Sequence, residues 1–379
     1  MENQEIEVKS FEDILKDDEL EDIMVNGPGQ PVYVYHSKKG MLKTNLILSE
    51  KEILDFILNV AEMNARKIDE KHPFLDATLE DGSRFNATIP PASPLGPTIT
   101  IRKFKKNPLS IVDLIKLGTI TPELAAFLWT MIEGQKNYPC NLIVIGGTGS
   151  GKTTTLNALF AFIPPHERIV CLEDTFELNF FDRENVVRLL SKRGLGAEER
   201  ITMDDLLRNT LRMRPDRIIV GEVRGPEAQT LFNAMNVGHT AMGTLHANSP
   251  GDCKARLTND PMNVPDNMLP LMDFILLQKR IVTKEGHKRK VVSLVEVVAS
   301  EVGISFGEIF AYDPKLDETM RTGIPSMKEE NLAKLADVEL SWLRKQTAKK
   351  AEFLKELVEK NISDSKKVNE IISSYSSTF

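Results

Sequence analysis

Apolar residues recur along this chain in two different rhythms. In the first hundred residues the rhythm is that of short strands around one helix. Residues 22–25 and 31–36 read as strands on either side of a turn, Asn-Gly-Pro-Gly at 26–29. Ser49 and Glu52 then form a capping box, and Ile53, Phe56, Ile57 and Val60 fall on one helical face. Residues 77–79, 84–89 and 98–102 read as a meander with turns at 81–82 and 94–97. From 141 to about 300 the rhythm changes. Continuous apolar runs at 141–145, 168–172, 216–220 and 273–278 alternate with helical stretches, which predicts a mostly parallel sheet covered by helices.

The segments between these blocks carry start and stop signals. The basic stretch 103–108 ends in Pro108 and reads as a linker. Ser110 caps a helix that stops at Gly118, and Thr121 caps a second one with Pro122 at its first position. After residue 300 a β-like piece at 304–311 precedes a Lys/Glu-rich helical stretch from 327 to about 361. Leu335, Val338, Trp342, Phe353 and Leu357 recur there at helical spacing, as a face packed on the core or a neighbour, or as a solvated terminal helix. The expected division is an N-terminal α/β domain at 1–104, a linker at 105–110, an α/β domain at 111–300 and a β/helical appendix at 301–379.

Composition narrows the class. The chain has 379 residues, 41% of them hydrophobic and 27% charged, ordinary for a globular protein of two or three domains. A net charge of −7 argues against a broad nucleic-acid-binding face. The acidic start lacks the apolar core of a signal peptide, and no apolar run approaches a membrane span. The three cysteines, Cys140, Cys171 and Cys253, are far apart and suit a reducing compartment, with neither a disulfide framework nor zinc.

The chemistry is concentrated in four segments. Residues 146–153 read Gly-Gly-Thr-Gly-Ser-Gly-Lys-Thr between an apolar strand and a helix-forming run, the context that gives G-x-x-x-x-G-K-T its meaning as a phosphate loop. Gly147, Thr148, Gly149, Ser150, Gly151 and Thr154 would line the phosphates, Lys152 would reach the β- and γ-phosphates, and Thr153 would ligate Mg²⁺. The ligand class is therefore a nucleoside triphosphate with Mg²⁺. The second segment ends a strand with Glu173, Asp174 and Glu177. Glu177 is the candidate general base, and one of the other two caps a turn. The third ends its strand in Gly221-Glu222, leaving Glu222 to hold the Mg²⁺ water shell. Arg224 follows, as a charge stabiliser or as the ion-pair partner of Glu227 or Glu173. The fourth, 238–248, carries His239 and His246. A zinc pair there lacks a third ligand, and sensing of the γ-phosphate is the better reading. Neither the Asn-Lys-x-Asp guanine-reading motif nor a Leu-Ser-Gly-Gly-Gln run occurs, which disfavours GTPases and transport cassettes.

In this order and spacing the four segments resemble the Walker A loop, Asp box, atypical Walker B and His box of the type II/type IV secretion superfamily, the secretion and type IV pilus motor ATPases. Asp81-Gly-Ser-Arg84, Ile99-Thr-Ile-Arg-Lys-Phe104, Pro261-Met-Asn-Val-Pro265, Ala311-Tyr-Asp-Pro-Lys315 and the helical tail resemble its archaeal pilus-assembly and archaellum branch. The resemblance covers almost the whole chain. It implies an α/β fold whose second domain is a RecA-like phosphate-loop NTPase, with a mostly parallel sheet and a helical C-terminal tail. It implies a homo-hexamer binding ATP between its two domains, with Arg102 first and Arg84 second as N-terminal arginines touching the phosphates. It also implies a cytoplasmic motor, peripheral to the membrane, that drives a polytopic platform protein assembling a filament. The four-cysteine zinc insert of bacterial assembly ATPases is absent, so no zinc is expected. The short stretch ahead of the first domain favours an adhesion-type pilus over archaellum rotation. The rivals are an ATPase moving protein or DNA through a type IV secretion-like channel, a small-molecule kinase, and a RecA-type nucleic-acid motor.

Overall fold

The computed structural model describes residues 5–37, 39–104, 107–136, 138–180, 183–192, 200–283, 286–300 and 303–376. The expected linker's residues 105 and 106, and the first four residues of the acidic start, lie outside these. The chain divides into two compact units, Met1–Lys106 with Thr175–Glu177, and Asn107–Asp174 with Leu178–Phe379.

In the first unit the strands are β1 (Glu5–Ile6), β2 (Leu20–Val25), β3 (Pro31–His36), β4 (Gly40–Ile47), β5 (Phe74–Thr78), β6 (Arg84–Thr88) and β7 (Thr98–Arg102). They form one sheet in the order β1-β4-β3-β2-β7-β6-β5. The helices are α1 (Phe11–Lys16) and α2 (Glu50–Met63). The capping box of α2 is formed: Ser49 Oγ accepts the Glu52 N–H at 3.3 Å, and Glu52 Oε2 accepts the Ser49 N–H at 2.7 Å. The apolar face of α2 supplies Ile53, Ile57 and Val60 to the same core as Val34, Phe85 and Ile101 from the sheet. Phe56 is half-buried between the rings of Phe11 and Phe85.

The second unit is built on a nine-stranded sheet. Its strands are β8 (Leu142–Gly146), β9 (Ile169–Glu173), β10 (Val186–Leu190), β11 (Arg217–Val220), β12 (Thr240–His246), β13 (Phe274–Thr283), β14 (Gly286–Ser300), β15 (Gly303–Asp313) and β16 (Glu318–Arg321). Their order is β10-β9-β11-β12-β8-β13-β14-β15-β16. Pairing is parallel from β10 to β13 and antiparallel from β13 to β16. Every residue of β8, β9 and β11 is buried, as strands with both faces covered require. Alternate residues serve two cores. Leu142, Val144, Cys171 and Ile219 enter one, while Ile143, Ile145, Leu172 and Val220 enter the other.

The helices divide between these faces. The first core takes residues of α3 (Ile111–Lys116), α4 (Pro122–Glu133), α5 (Lys152–Leu159), α9 (Met327–Leu335), α10 (Leu340–Glu359) and α11 (Ser365–Ser376). The second takes α6 (Met203–Thr210), α7 (Glu227–Asn236) and α8 (Pro250–Thr258). Helix α4 is apolar nearly all round because its outer side is covered too. Trp129 stacks on Phe162 at 5.2 Å, and Phe353 of α10 and Tyr375 of α11 close over it. The stretch after residue 300 thus extends the sheet and completes its core. The expected face of the tail packs in part: Leu357 is buried in the first core, and Val338 and Phe353 pack against it. Leu335 and Trp342 are exposed instead, and Leu343, Ala351 and Leu354, outside the expected set, are buried.

Several strands lie outside the sequence reading: β1, β4, β10, β12, β14 and β16 are not among the expected strands. In β12, Thr240, Gly243, Thr244 and His246 mask the apolar residues Ala241, Met242 and Leu245.

Candidate nucleotide site

Parallel strands end at one edge of their sheet, and register brings the motifs together there. His246, the last residue of β12, pairs with Gly146, the last of β8. Val220 of β11 pairs with Gly243 on one side and Leu172 on the other, so Gly221-Glu222 and Glu173 emerge beside them.

The loop after β8 bends through Gly149 at φ +70° and Gly151 at φ +97°, conformations that cost glycine little. A Cβ on Gly146 would stand 2.3 Å from the Gln278 carbonyl oxygen and 2.6 Å from Ser150 Oγ. The loop can therefore lie this close to β13 only with glycine there. Helix α5 starts at Lys152, whose side chain is buried and donates to the Gly147 carbonyl at 3.1 Å. Ser150 Oγ is buried with no hydrogen-bond partner among the described residues. A glycine-shaped cradle, a helix N-terminus, a buried ammonium and an orphaned hydroxyl together fit phosphate oxygens.

A continuous polar chain leads away from Lys152. His246 Nδ1 lies 3.4 Å from Lys152 Nζ, and His246 Nε2 lies 3.1 Å from Glu222 Oε1. An ammonium can only donate and a carboxylate can only accept, so the ring is the neutral tautomer with its proton on Nε2. Burial, then the Lys152 charge, holds the His246 pKa below its ordinary value, while Glu222 opposes them. Glu222 also accepts from Arg224 Nη2, and Arg224 Nη1 reaches Asp174 Oδ2 at 3.3 Å. Asp174 accepts from Ser191 Oγ at 2.5 Å. Arg224 thus pairs with Glu222 and Asp174. Its backbone N–H donates to Glu227, and Glu173 pairs with Arg188 at 2.8 Å.

Gly221 has a local reason. A Cβ there would stand 3.2 Å from Cγ of Glu173, which is 2% exposed and accepts the Leu178 N–H at 2.8 Å. Glu173 thus caps the turn after β9, the role expected of one of the two carboxylates.

The two histidines are not neighbours. His239 precedes β12 and His246 ends it, so seven residues of extended chain, roughly 23 Å, separate them. Only His246 is at the phosphate-loop edge. Glu177, Arg84 and Arg102 belong to the first unit. Glu177 is exposed. Arg84 pairs with Asp76 at 3.4 Å, and Arg102 with Asp22 at 3.1 Å. Sequence reasoning missed Ser191, Arg188, Gln278 and Arg289. The one available signal was Gln278, a polar residue closing an apolar strand.

The family described as "Type II/IV secretion system protein" matches residues 5–322. The uncharacterized protein MJ0781 of Methanocaldococcus jannaschii is 50% identical over 228 residues, 59% of this chain and 32% of its own length. MJ0900 of the same organism is 38% identical over 372 residues, 96% of this chain and 66% of its own length. The chain therefore spans about a third of one of these relatives and about two thirds of the other. The crystal structure of the pilus retraction motor PilT with bound ADP superposes with a TM-score of 0.52 at 19% identity, over 87% of this chain and 89% of that one, a likeness of fold. Among the described residues no helix is long and apolar enough to cross a membrane. Taken with the four ordered motifs at one sheet edge, the match across residues 5–322 places this chain in the type II/IV secretion system protein family.

Proposed function

We propose that this chain is a Mg²⁺-dependent ATPase acting as a homo-hexamer at the cytoplasmic face of a membrane. Its motion would drive a polytopic platform protein that assembles a type IV pilus-like filament. The observation that carries the ATPase reading is the unbroken polar chain from Lys152 through His246, Glu222 and Arg224 to Asp174. It gives the lysine that would meet a γ-phosphate a wired path to a carboxylate and an arginine.

In this reading Lys152 and the loop amides hold the β- and γ-phosphates. Thr153 and Glu222 are the residues that would hold a magnesium ion, whose part when bound is to offset phosphate charge. Glu177 takes the proton of the attacking water. Arg224, already at the strand edge, stabilises charge once it leaves Asp174 or Glu222. Arg102 and Arg84 can do the same from the first unit, because exposed ion pairs of the kind they make are worth only about 0–1 kcal/mol and exchange readily. His246 reports on Lys152. When a phosphate draws the ammonium away, the Nδ1 lone pair loses its partner and the ring is free to turn from Glu222.

An ATPase assay tests this. Lys152→Ala should abolish turnover, and near-normal turnover would sink the reading. Glu177→Gln should bind ATP normally yet hydrolyse it at least about a hundredfold more slowly. Unchanged hydrolysis would move the base to another carboxylate. Deleting the gene and imaging cells for surface filaments tests the cargo.

A further inference from the structure

The phosphate loop has a third wall that none of the four motifs supplies. β13 and β14 form a hairpin, and β13 leaves its parallel partner β8 at the Gln278–Gly146 pair. Two residues further along β13, Arg280 pairs with Arg289 of β14. Arg289 is exposed, and its Nε donates to the Gly149 carbonyl at 3.1 Å. Its Cδ lies 3.2 Å from where a Cβ on Gly151 would stand, and Gln278 Nε2 lies 2.9 Å from the same point. Gln278 is 1% exposed, and its Oε1 has no hydrogen-bond partner among the described residues. The hairpin thus grips the loop at Gly146, Gly149 and Gly151.

We infer that Arg289 is a positioning residue for nucleotide binding, one that sets the direction of the peptide between Gly149 and Ser150. In a trans peptide the C=O and the following N–H point in opposite directions. With the Gly149 carbonyl drawn out to the Arg289 guanidinium, the Ser150 N–H is turned into the loop, where it meets the Gly147 carbonyl at 3.3 Å. Lys152 Nζ donates to that same carbonyl. Two donors that would serve phosphate oxygens therefore converge on one point, and Arg289 holds one of them there. Gly149 at φ +70° is free to flip its peptide, so an external anchor is what fixes it. A charge-assisted bond to a partly exposed carbonyl is worth about a tenfold change in affinity.

This rests on the nucleotide reading of the loop, and the test separates the two. The full chain and its Arg289→Met and Arg289→Lys variants are titrated with a fluorescent ATP analogue and assayed for turnover, and the nucleotide-free proteins are melted. Arg289→Met should weaken binding and raise KM about tenfold with kcat within about threefold, because the interaction is made equally in ground and transition states. Arg289→Lys keeps a donor and should recover most of the affinity. Melting of the nucleotide-free variants should stay within about 2 °C of the parent. Unchanged affinity in Arg289→Met overturns the inference while leaving the nucleotide site intact. So does equal loss in both variants accompanied by a lowered melting point, which marks a merely structural role. A parent protein that binds no nucleotide overturns both readings.

Discussion

At the scale of single residues, the polar chain makes His246 the most informative reporter of the site. Its pKa is held below the ordinary histidine value by burial and by Lys152, so it should be neutral at pH 7 and protonate only on further acidification. In an NMR titration, Lys152→Ala should move its midpoint up, because a repelling charge is removed. Glu222→Gln should move it down, because an attracting one is lost. A midpoint unaffected by both would mean that the histidine is not in the chain. The phosphate loop, Glu222 and Arg224 were legible in the sequence because each motif is contiguous and its meaning local. Their wiring was not. Asp174 and Ser191 stand seventeen positions apart and meet because β9 and β10 pair. Gln278 and Arg289 reach the loop through a hairpin that no spacing rule connects to residue 149. His239 illustrates the opposite error. It is seven positions from His246, near in sequence, yet at the far end of the strand.

At the scale of elements, caps were the most readable feature, since Ser49, Ser110 and Thr121 each accept the expected N–H of their helices. Periodicity served less well where both faces of an element are covered. β12 alternates no better than a loop, and α4 has no polar face to set off its apolar one. The tail shows the same limit. Of the expected stripe, Val338, Phe353 and Leu357 pack on the core, but Leu335 and Trp342 are exposed, and Leu343 and Leu354 are buried in their stead. Substitution separates the two groups. Leu354→Ala empties a fully buried position against the first core and should cost about 2–5 kcal/mol. Trp342→Ala, on an exposed ring, should cost well under about 1 kcal/mol. The urea midpoints of the two variants check this, and similar midpoints would reinstate the sequence-derived face.

At the scale of the whole molecule, the thiols report on the integrity of the second unit. All three cysteines are buried in it: Cys140 just ahead of β8, Cys171 on β9 and Cys253 on α8. Burial pushes the Cys140 and Cys253 thiols up to about 12, and Cys171 well above its ordinary value. A thiol reagent at pH 8 should label none of them in the native protein, because the reactive thiolate is scarce and the sulfurs are covered, and all three in denaturant. Fast labelling of the native protein would show a second unit that opens readily. The sheet that buries them has a kinematic consequence. The phosphate loop, Glu222, Arg224 and His246 all ride on strands hydrogen-bonded edge to edge into one lattice, with helices clamped on both faces. Such a frame has no hinge of its own, so these groups travel as a fixed template. On the proposed motor function, the stroke would come from side chains turning within that template, or from segments that leave its rim.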